Sequence, residues 1–253
     1  MNIFSLKGKT ALVTGASSGL GEGFVHILSK AGARVILGSR RVEKLEALAE
    51  KLGNSLALEM DVSDKDSIKK AFSLLEAQNE KIDVCINNAG IAGQTPIFAE
   101  DSDRFEEILQ TNVLGTWHVT RFAVNHMKKR KIHGSIINIA SVLGDNLTRS
   151  NMTGYAASKA AVIRMTENLV SELAEENIRI NAIVPGLFHT PLTDNRLSDE
   201  SQKNQAAENI PLKFVANPSD MEGTILFLAS NKASGYMTGS CITIDGGSTW
   251  KGR

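Results

Sequence analysis

A short apolar run that breaks on three spaced glycines and then turns amphipathic leaves a chain little choice of fold. The run is Thr10–Thr14, the glycines are Gly15, Gly19 and Gly21, and the stretch Glu22–Lys30 places Phe24, Ile27 and Leu28 at helical spacing. Strand, glycine turn and helix in that order form a phosphate cradle. The glycines let the backbone approach an anion, and the N–H groups at the helix start meet its charge. The spacing is Gly-x-x-x-Gly-x-Gly, not the Gly-x-Gly-x-x-Gly of the common dinucleotide fingerprint. The reading therefore rests on where the glycines fall, at a strand-to-helix junction.

Strand and helix signals keep alternating to the end. Further strands are expected at 34–37, 55–60, 83–86, 135–140, 179–184 and 241–245, and helices near 42–52, 64–79, 103–130, 155–176 and 220–229. Alternation of this kind predicts an α/β fold, a doubly wound parallel sheet with helices on both faces. With 253 residues, 42% of them hydrophobic, the chain can bury the core of one domain, and no linker, repeat or composition break divides it.

The formal net charge is zero, so no global field draws nucleic acid. The one basic run, Lys128–Lys131, ends a predicted helix, where cations complement the dipole. No signal peptide and no bilayer-length apolar run is evident. The two cysteines, Cys85 and Cys241, fall inside predicted strands and read as small buried hydrophobes of a reduced, cytoplasmic protein. The five histidines, at 26, 118, 126, 133 and 189, have no metal-ligand spacing, and no metal site is expected.

After the second strand comes Gly38-Ser39-Arg40-Arg41. An NAD-specific site carries an acid about 20 residues beyond the glycine turn to hold the ribose 2′-hydroxyl. Ser39 stands there without charge, and the guanidinium of Arg40 suits a 2′-phosphate. NADP(H) is thus the expected cofactor, with NAD(H) possible. The alternative makes Arg40 and Arg41 a solvated helix start. The third and fourth strands run into Asp61-Val62 and Asn87-Asn88-Ala89-Gly90, at sheet ends that open on a nucleotide crevice. Asp61 is placed to accept from an adenine amine, or else to cap the next helix, a task Ser63 and Asp64 can equally perform.

Tyr155 and Lys159 lie four residues apart and share one helix face. A free phenol titrates near ~10, and a cation at about 4 Å in an effective dielectric of ~20 contributes roughly 4 kcal/mol, lowering the pKa by up to ~3 units. A phenol tuned in this way exchanges a proton with an alcohol or carbonyl oxygen near neutrality.

Taken in order, Thr14-Gly15…Gly19-Leu20-Gly21, Asn87-Asn88-Ala89-Gly90, Asn112, Ser141, Tyr155…Lys159, Pro185-Gly186 and Asp245-Gly246-Gly247 resemble the short-chain dehydrogenase/reductase family over essentially the whole length. The resemblance implies a single Rossmann domain and hydride transfer between a nicotinamide and a carbonyl or secondary alcohol. It implies that Ser141 hydrogen-bonds the substrate oxygen and that Tyr155 is the general acid or base. Lys159 would hold the nicotinamide ribose and lower the Tyr155 pKa, and Asn112 would hold a water of the proton relay. Cofactor contacts would come from Gly15, Ser17, Ser18, Gly19, Leu20, Gly21, Ser39, Arg40, Asp61, Val62, Asn88, Ala89, Gly90, Tyr155, Lys159, Pro185, Gly186, Phe188 and Thr190. Read without the resemblance, Asn112 is an ordinary buried amide, Ser141 a turn residue and Asn87 a brace between strands.

Substrate identity is expected from Gly93–Pro96, Val142–Met152 and a polar lid at about 187–213. Arg149 could pair with an acidic substrate group. The separation of Ser141 from Tyr155 is one residue longer than in the commonest relatives, which bears on substrate shape. Small hydroxy compounds, sugars or polyols are the favoured substrates, and a 3-oxoacyl thioester on acyl carrier protein is the alternative. Reductases of such thioesters typically place a second basic residue where Glu176 stands. A reading from another class, a non-catalytic NADP-binding sensor or scaffold, is opposed by intact Asn112, Ser141, Tyr155 and Lys159. The apolar surplus of helices 103–130 and 155–176 predicts a homodimer or homotetramer.

Overall fold

A computed structural model describes residues 2–98, 104–193 and 197–250. Seven parallel strands form one sheet in the order β3-β2-β1-β4-β5-β6-β7. They are β1 Thr10–Thr14, β2 Arg34–Ser39, β3 Ser55–Glu59, β4 Val84–Asn87, β5 Ser135–Ile139, β6 Arg179–Pro185 and β7 Cys241–Ile244. The helices are α1 Gly19–Lys30, α2 Val42–Leu52, α3 Lys65–Ala77, α4 Arg104–Leu109, α5 Thr116–Lys129, α6 Thr153–Asn168, α7 Val170–Ala174, α8 Glu200–Glu208 and α9 Glu222–Ala229.

Both faces of the sheet are buried, and the period of two divides the side chains between them. Ala11, Val13, Val35, Leu37, Val84, Ile86, Ile137 and Ile183 face one core, with Phe24, Val25 and Leu28 of α1 and Ile225 and Leu228 of α9. Leu12, Ile36, Cys85, Ile136 and Ile180 face the other, with Ile68, Phe72 and Leu75 of α3 and Val119, Ala123 and Met127 of α5. The strand order reverses between β1 and β4, so the carboxyl ends of these two neighbours part and open a crevice.

Behind the crevice a polar ladder crosses the second core. The Asn87 amide donates to Thr120 Oγ1 and to Asn138 Oδ1, both at 2.8 Å, and Asn138 donates to Thr166 Oγ1 at 2.9 Å. All four side chains are buried. The ladder joins α5, β4, β5 and α6 in one register, and Asn87 is the strand brace it was read to be.

Two elements depart from expectation. The helix predicted over 103–130 is α from Arg104, then a π turn at Gln110–Gly115, then α5; residue 103 lies outside the described residues. The helix predicted over 155–176 starts at Thr153 and breaks at Leu169 before α7. The lid, too polar to have a core of its own, contains α8 and is anchored on either side by buried Leu197 and Ile210. Two apolar anchors suffice to dock a segment whose helix buries none of its own residues.

Candidate active site

The crevice holds a cleft of about 730 Å³ that runs from Arg40 and Asp61 at one end to Ser141, Tyr155 and Thr190 at the other. Its floor is the glycine turn. Gly15 has φ +66, and a Cβ there would stand 2.9 Å from Ala89 Cα; one on Gly21 would run into the Gly15 carbonyl. Only glycine permits this turn to lie against the Asn88–Gly90 loop. Thr14, not singled out from the sequence as a site residue, pins that loop. Its Oγ1 accepts from Asn88 N at 3.1 Å and Ala89 N at 3.0 Å, while Asn88 Nδ2 returns a bond to Thr14 O at 2.9 Å.

At the far end of the cleft Asp64 caps α3, accepting from Asp66 N at 2.9 Å, and so leaves Asp61 free of that task. Asp61 Oδ1 accepts from the backbone and hydroxyl of Ser63, and its Oδ2 lies 3.8 Å from Arg40 Nη1. That pair is long and solvated and holds Arg40 only weakly. Arg41 makes the closer contacts. Its Nη2 donates to Ser17 Oγ at 2.8 Å and Ser18 Oγ at 2.6 Å, and Nε donates to Ser17 Oγ at 3.0 Å. Its backbone N–H is fixed by Ser39 Oγ at 3.2 Å. The guanidinium that reaches the glycine turn is therefore the second of the pair, which sequence reasoning had grouped with a solvated helix start. Spacing alone cannot say which of two adjacent side chains points inward.

At the catalytic end, β5 delivers Ser141 just past its carboxyl end, and α6 delivers Tyr155 and Lys159 on one face. Burial pushes the pKa of the Tyr155 phenol above its ordinary value, and the neighbouring Ser141 hydroxyl offsets this only in part. Lys159 donates to Ile139 O at 2.8 Å, and its Nζ lies 5.7 Å from the centre of the Tyr155 ring. Burial brings its pKa down to about 8. The expected Lys159-driven depression of the phenol is thus absent from this geometry. The ammonium is turned to a backbone carbonyl, and desolvation penalises the charged forms of both groups.

Asn112 is fully buried in the π turn. Its Nδ2 donates to Ile91 O and Ser158 Oγ, both at 2.9 Å, and its Oδ1 accepts from Ile91 N at 2.8 Å. Ser158 Oγ donates in turn to Tyr155 O at 2.7 Å. Ser158 had not been assigned a role; it ties Asn112 to the helix of Tyr155. Pro185 ends β6 and Gly186 follows it beside Asp245, which a Cβ on Gly186 would touch at 2.7 Å. Phe188 is buried, and Thr190 approaches the glycine turn, 3.4 Å from where a Gly19 Cβ would stand. Thr193 Oγ1 accepts from Thr190 N at 3.0 Å and donates to Phe188 O at 2.7 Å, which sets the start of the lid. Val62, Leu20, Ala89 and Gly90 also line the cleft.

The remaining expectations concern the surface and the sulfurs. Lys128 pairs with Glu176 at 2.6 Å and Lys129 with Glu76 at 3.2 Å, so acids pair with two of the four cations of the basic run. Cys85 and Cys241 are free thiols pushed up to about 12 and about 11 by burial. Among the described residues no cluster of His, Cys, Asp and Glu could hold a metal ion, and no helix is long and apolar enough to cross a membrane.

A family model described as enoyl-(acyl carrier protein) reductase matches residues 15–249. The chain is 37% identical to the 3-oxoacyl-[acyl-carrier-protein] reductase FabG of Thermotoga maritima, over 96% of this chain and 98% of that protein. It is 38% identical to the oxidoreductase UcpA of Salmonella typhimurium, over 96% and 95%. The crystal structure of a gluconate 5-dehydrogenase from Burkholderia cenocepacia, in complex with NADP and tartrate, superposes with a TM-score of 0.92 at 31% identity, covering 98% of each chain. With that sheet order, that glycine turn and those relatives, the chain belongs to the short-chain dehydrogenase/reductases, oxidoreductases that act on CH–OH groups.

Proposed function

We propose that this protein is an NADP(H)-dependent oxidoreductase that interconverts a carbonyl and a secondary alcohol on a small hydroxy compound, sugar or polyol. The observation that carries the reading is the meeting of Ser141, Tyr155 and Lys159 at one end of a cleft whose floor is the glycine turn. The cradle at Gly15 and Gly21, which a Cβ would fill, fits a dinucleotide pyrophosphate over the start of α1. Ser17, Ser18, Ser39, Arg40 and Arg41 would hold the 2′-phosphate end, with Asp61 and Val62 beside the base. Thr190 and Lys159 would hold the nicotinamide end. When bound, the cofactor supplies or accepts the hydride.

The chain's own residues handle the proton and the developing charge. Ser141 donates a hydrogen bond to the substrate oxygen. Tyr155 gives that oxygen a proton in reduction and takes one in oxidation. Burial keeps the phenol protonated, and approach of a charged Lys159 would bring its pKa down toward the range in which it exchanges a proton readily. Because the Asn112 side chain is spent on Ile91 and Ser158, a relay water would have to be held by a main-chain group of the π turn and not by that side chain.

A 3-oxoacyl-carrier-protein substrate is the second reading, favoured by the resemblance to the Thermotoga reductase. The ion pairs of Lys128 and Lys129 with Glu176 and Glu76 weigh against an acidic carrier docking there. NADPH oxidation scanned over ketones and 3-oxoacyl thioesters, with NADP+ reduction over alcohols, tests both. Turnover confined to thioesters would reverse the ranking, and no turnover on any panel would overturn both readings.

A further inference from the structure

Helix α6 carries both Tyr155 and Lys159, yet it lacks a cap of its own. Met152 precedes it and offers no side-chain oxygen, while the first N–H groups of a helix have no partner within it. The partner comes from 59 positions away: Gly154 N, the donor directly before Tyr155, gives its hydrogen bond to Thr95 Oγ1 at 2.9 Å. The Thr95 backbone N–H reaches back to Asn151 O at 2.7 Å. Thr95 thus clasps both sides of the turn that enters the helix. The clasp has little room to slip. Thr95 is 8% exposed, and a Cβ on Gly154 would stand 3.1 Å from Thr95 Cγ2 and 3.0 Å from Phe105 Cδ2.

We propose that Thr95 is a positioning residue for the reaction, capping α6 from outside and fixing where the Tyr155 phenol stands. Thr95 lies on the segment that leaves Asn88–Gly90, so the loop edging the cofactor cleft is the same loop that anchors the acid–base helix. A shift of about 1 Å in such a group lowers turnover by up to ~10²-fold. The inference rests on Tyr155 being the proton donor.

The test compares Thr95→Val, which keeps the volume and removes the acceptor, with Thr95→Ser, which keeps the oxygen. Both are assayed on the most active ketone of the panel, with rates expressed per NADPH-binding site titrated by nucleotide fluorescence. Thr95→Val should lower kcat by about 10- to 100-fold, leave KM for NADPH near its original value, and move the pH limb of turnover that belongs to Tyr155. Thr95→Ser should restore all three. A purely structural role would change the melting temperature and leave the pH limb where it was. Unchanged kcat per site in Thr95→Val, equal loss in Thr95→Ser, or failure of Thr95→Val to fold would each overturn the assignment. Tyr155→Phe is measured alongside. If it stays active, the acid–base reading falls and the inference falls with it. If it is inactive while Thr95→Val is fully active, the inference alone is wrong.

Discussion

Tyr155 tests the chemistry most directly, because Tyr155→Phe deletes one oxygen and keeps the ring. Turnover should drop by at least ~10²-fold while NADPH still binds, as read by nucleotide fluorescence. Lys159→Ala should lower turnover and weaken cofactor together, since in the proposed site one ammonium serves both. Its pKa of about 8 also gives a pH prediction. The native state binds fewer protons here than the unfolded chain, whose lysine titrates near ~10.4, so this residue's penalty on stability should ease as pH rises from about 8. Chemical unfolding of wild type and Lys159→Met across pH 7–10 checks the sign. At the other end of the cleft, Arg41→Ala should reduce kcat/KM for NADPH about tenfold or more and leave NADH nearly unaffected. Arg40→Ala should do less, because that side chain is 72% exposed and held only by Asp61 at 3.8 Å. If Arg40 proves the stronger determinant, the serine contacts of Arg41 do not report the phosphate site.

Helices placed correctly in the sequence nevertheless differ in how they are built. The apolar period that announced a helix over 103–130 cannot show the π turn at its centre, because one extra residue per turn changes the register and not the composition. That turn is where Asn112 sits. On α5 His126 is 2% exposed, and among the described residues neither ring nitrogen makes a well-formed hydrogen bond. It packs edge-on against Phe72, its ring centre 6.4 Å away, near Arg130, Lys129 and Glu76. Burial, helped by Arg130, holds its pKa below the usual histidine value. Its contribution is therefore intact above about pH 6.5 and is lost as pH falls, when the unfolded chain takes up a proton that the native helix pair resists. His126→Leu should flatten the fall in melting temperature between pH 7 and 5; an unchanged slope would mean that other groups cause it. The buried ladder makes a second prediction. Asn138→Leu removes one partner from the Asn87 amide, which keeps Thr120, and one from the Thr166 hydroxyl, which keeps Val162 O, and should destabilise by about 1–3 kcal/mol in denaturant titrations.

At the scale of the whole molecule, the apolar surplus of the 104–129 helix divides in two. Val119, Ala123 and Met127 enter the core, but Leu114 and Trp117 remain 44% and 38% exposed. We expect a dimer or tetramer that covers them, and sedimentation at micromolar concentration showing only a single-chain species would refute it. Charge makes the other prediction at this scale. Because Glu76 and Glu176 already satisfy Lys129 and Lys128, reversing Lys129 and Arg130 to Glu should leave KM for a carrier-bound thioester almost unchanged. A large rise in that KM would restore the carrier protein as the partner.

Periodicity and glycine placement alone determined the α/β alternation and the strand identities within a residue or two, because these are properties of local sequence that burial on both sheet faces then reinforces; the motif residues came with the resemblance to a family. Tertiary structure decided what depends on direction. It turned Arg41 and not Arg40 toward the glycine turn, and it spent the Asn112 amide on Ile91 and Ser158. It buried Tyr155 and turned the Lys159 ammonium to the Ile139 carbonyl, and it brought Thr95 onto Gly154 across 59 positions of chain. The physical reason is the same in each case: a hydrogen bond or a desolvation term belongs to a pair of groups in space. Sequence order constrains such pairs only when both members share one helix or one turn.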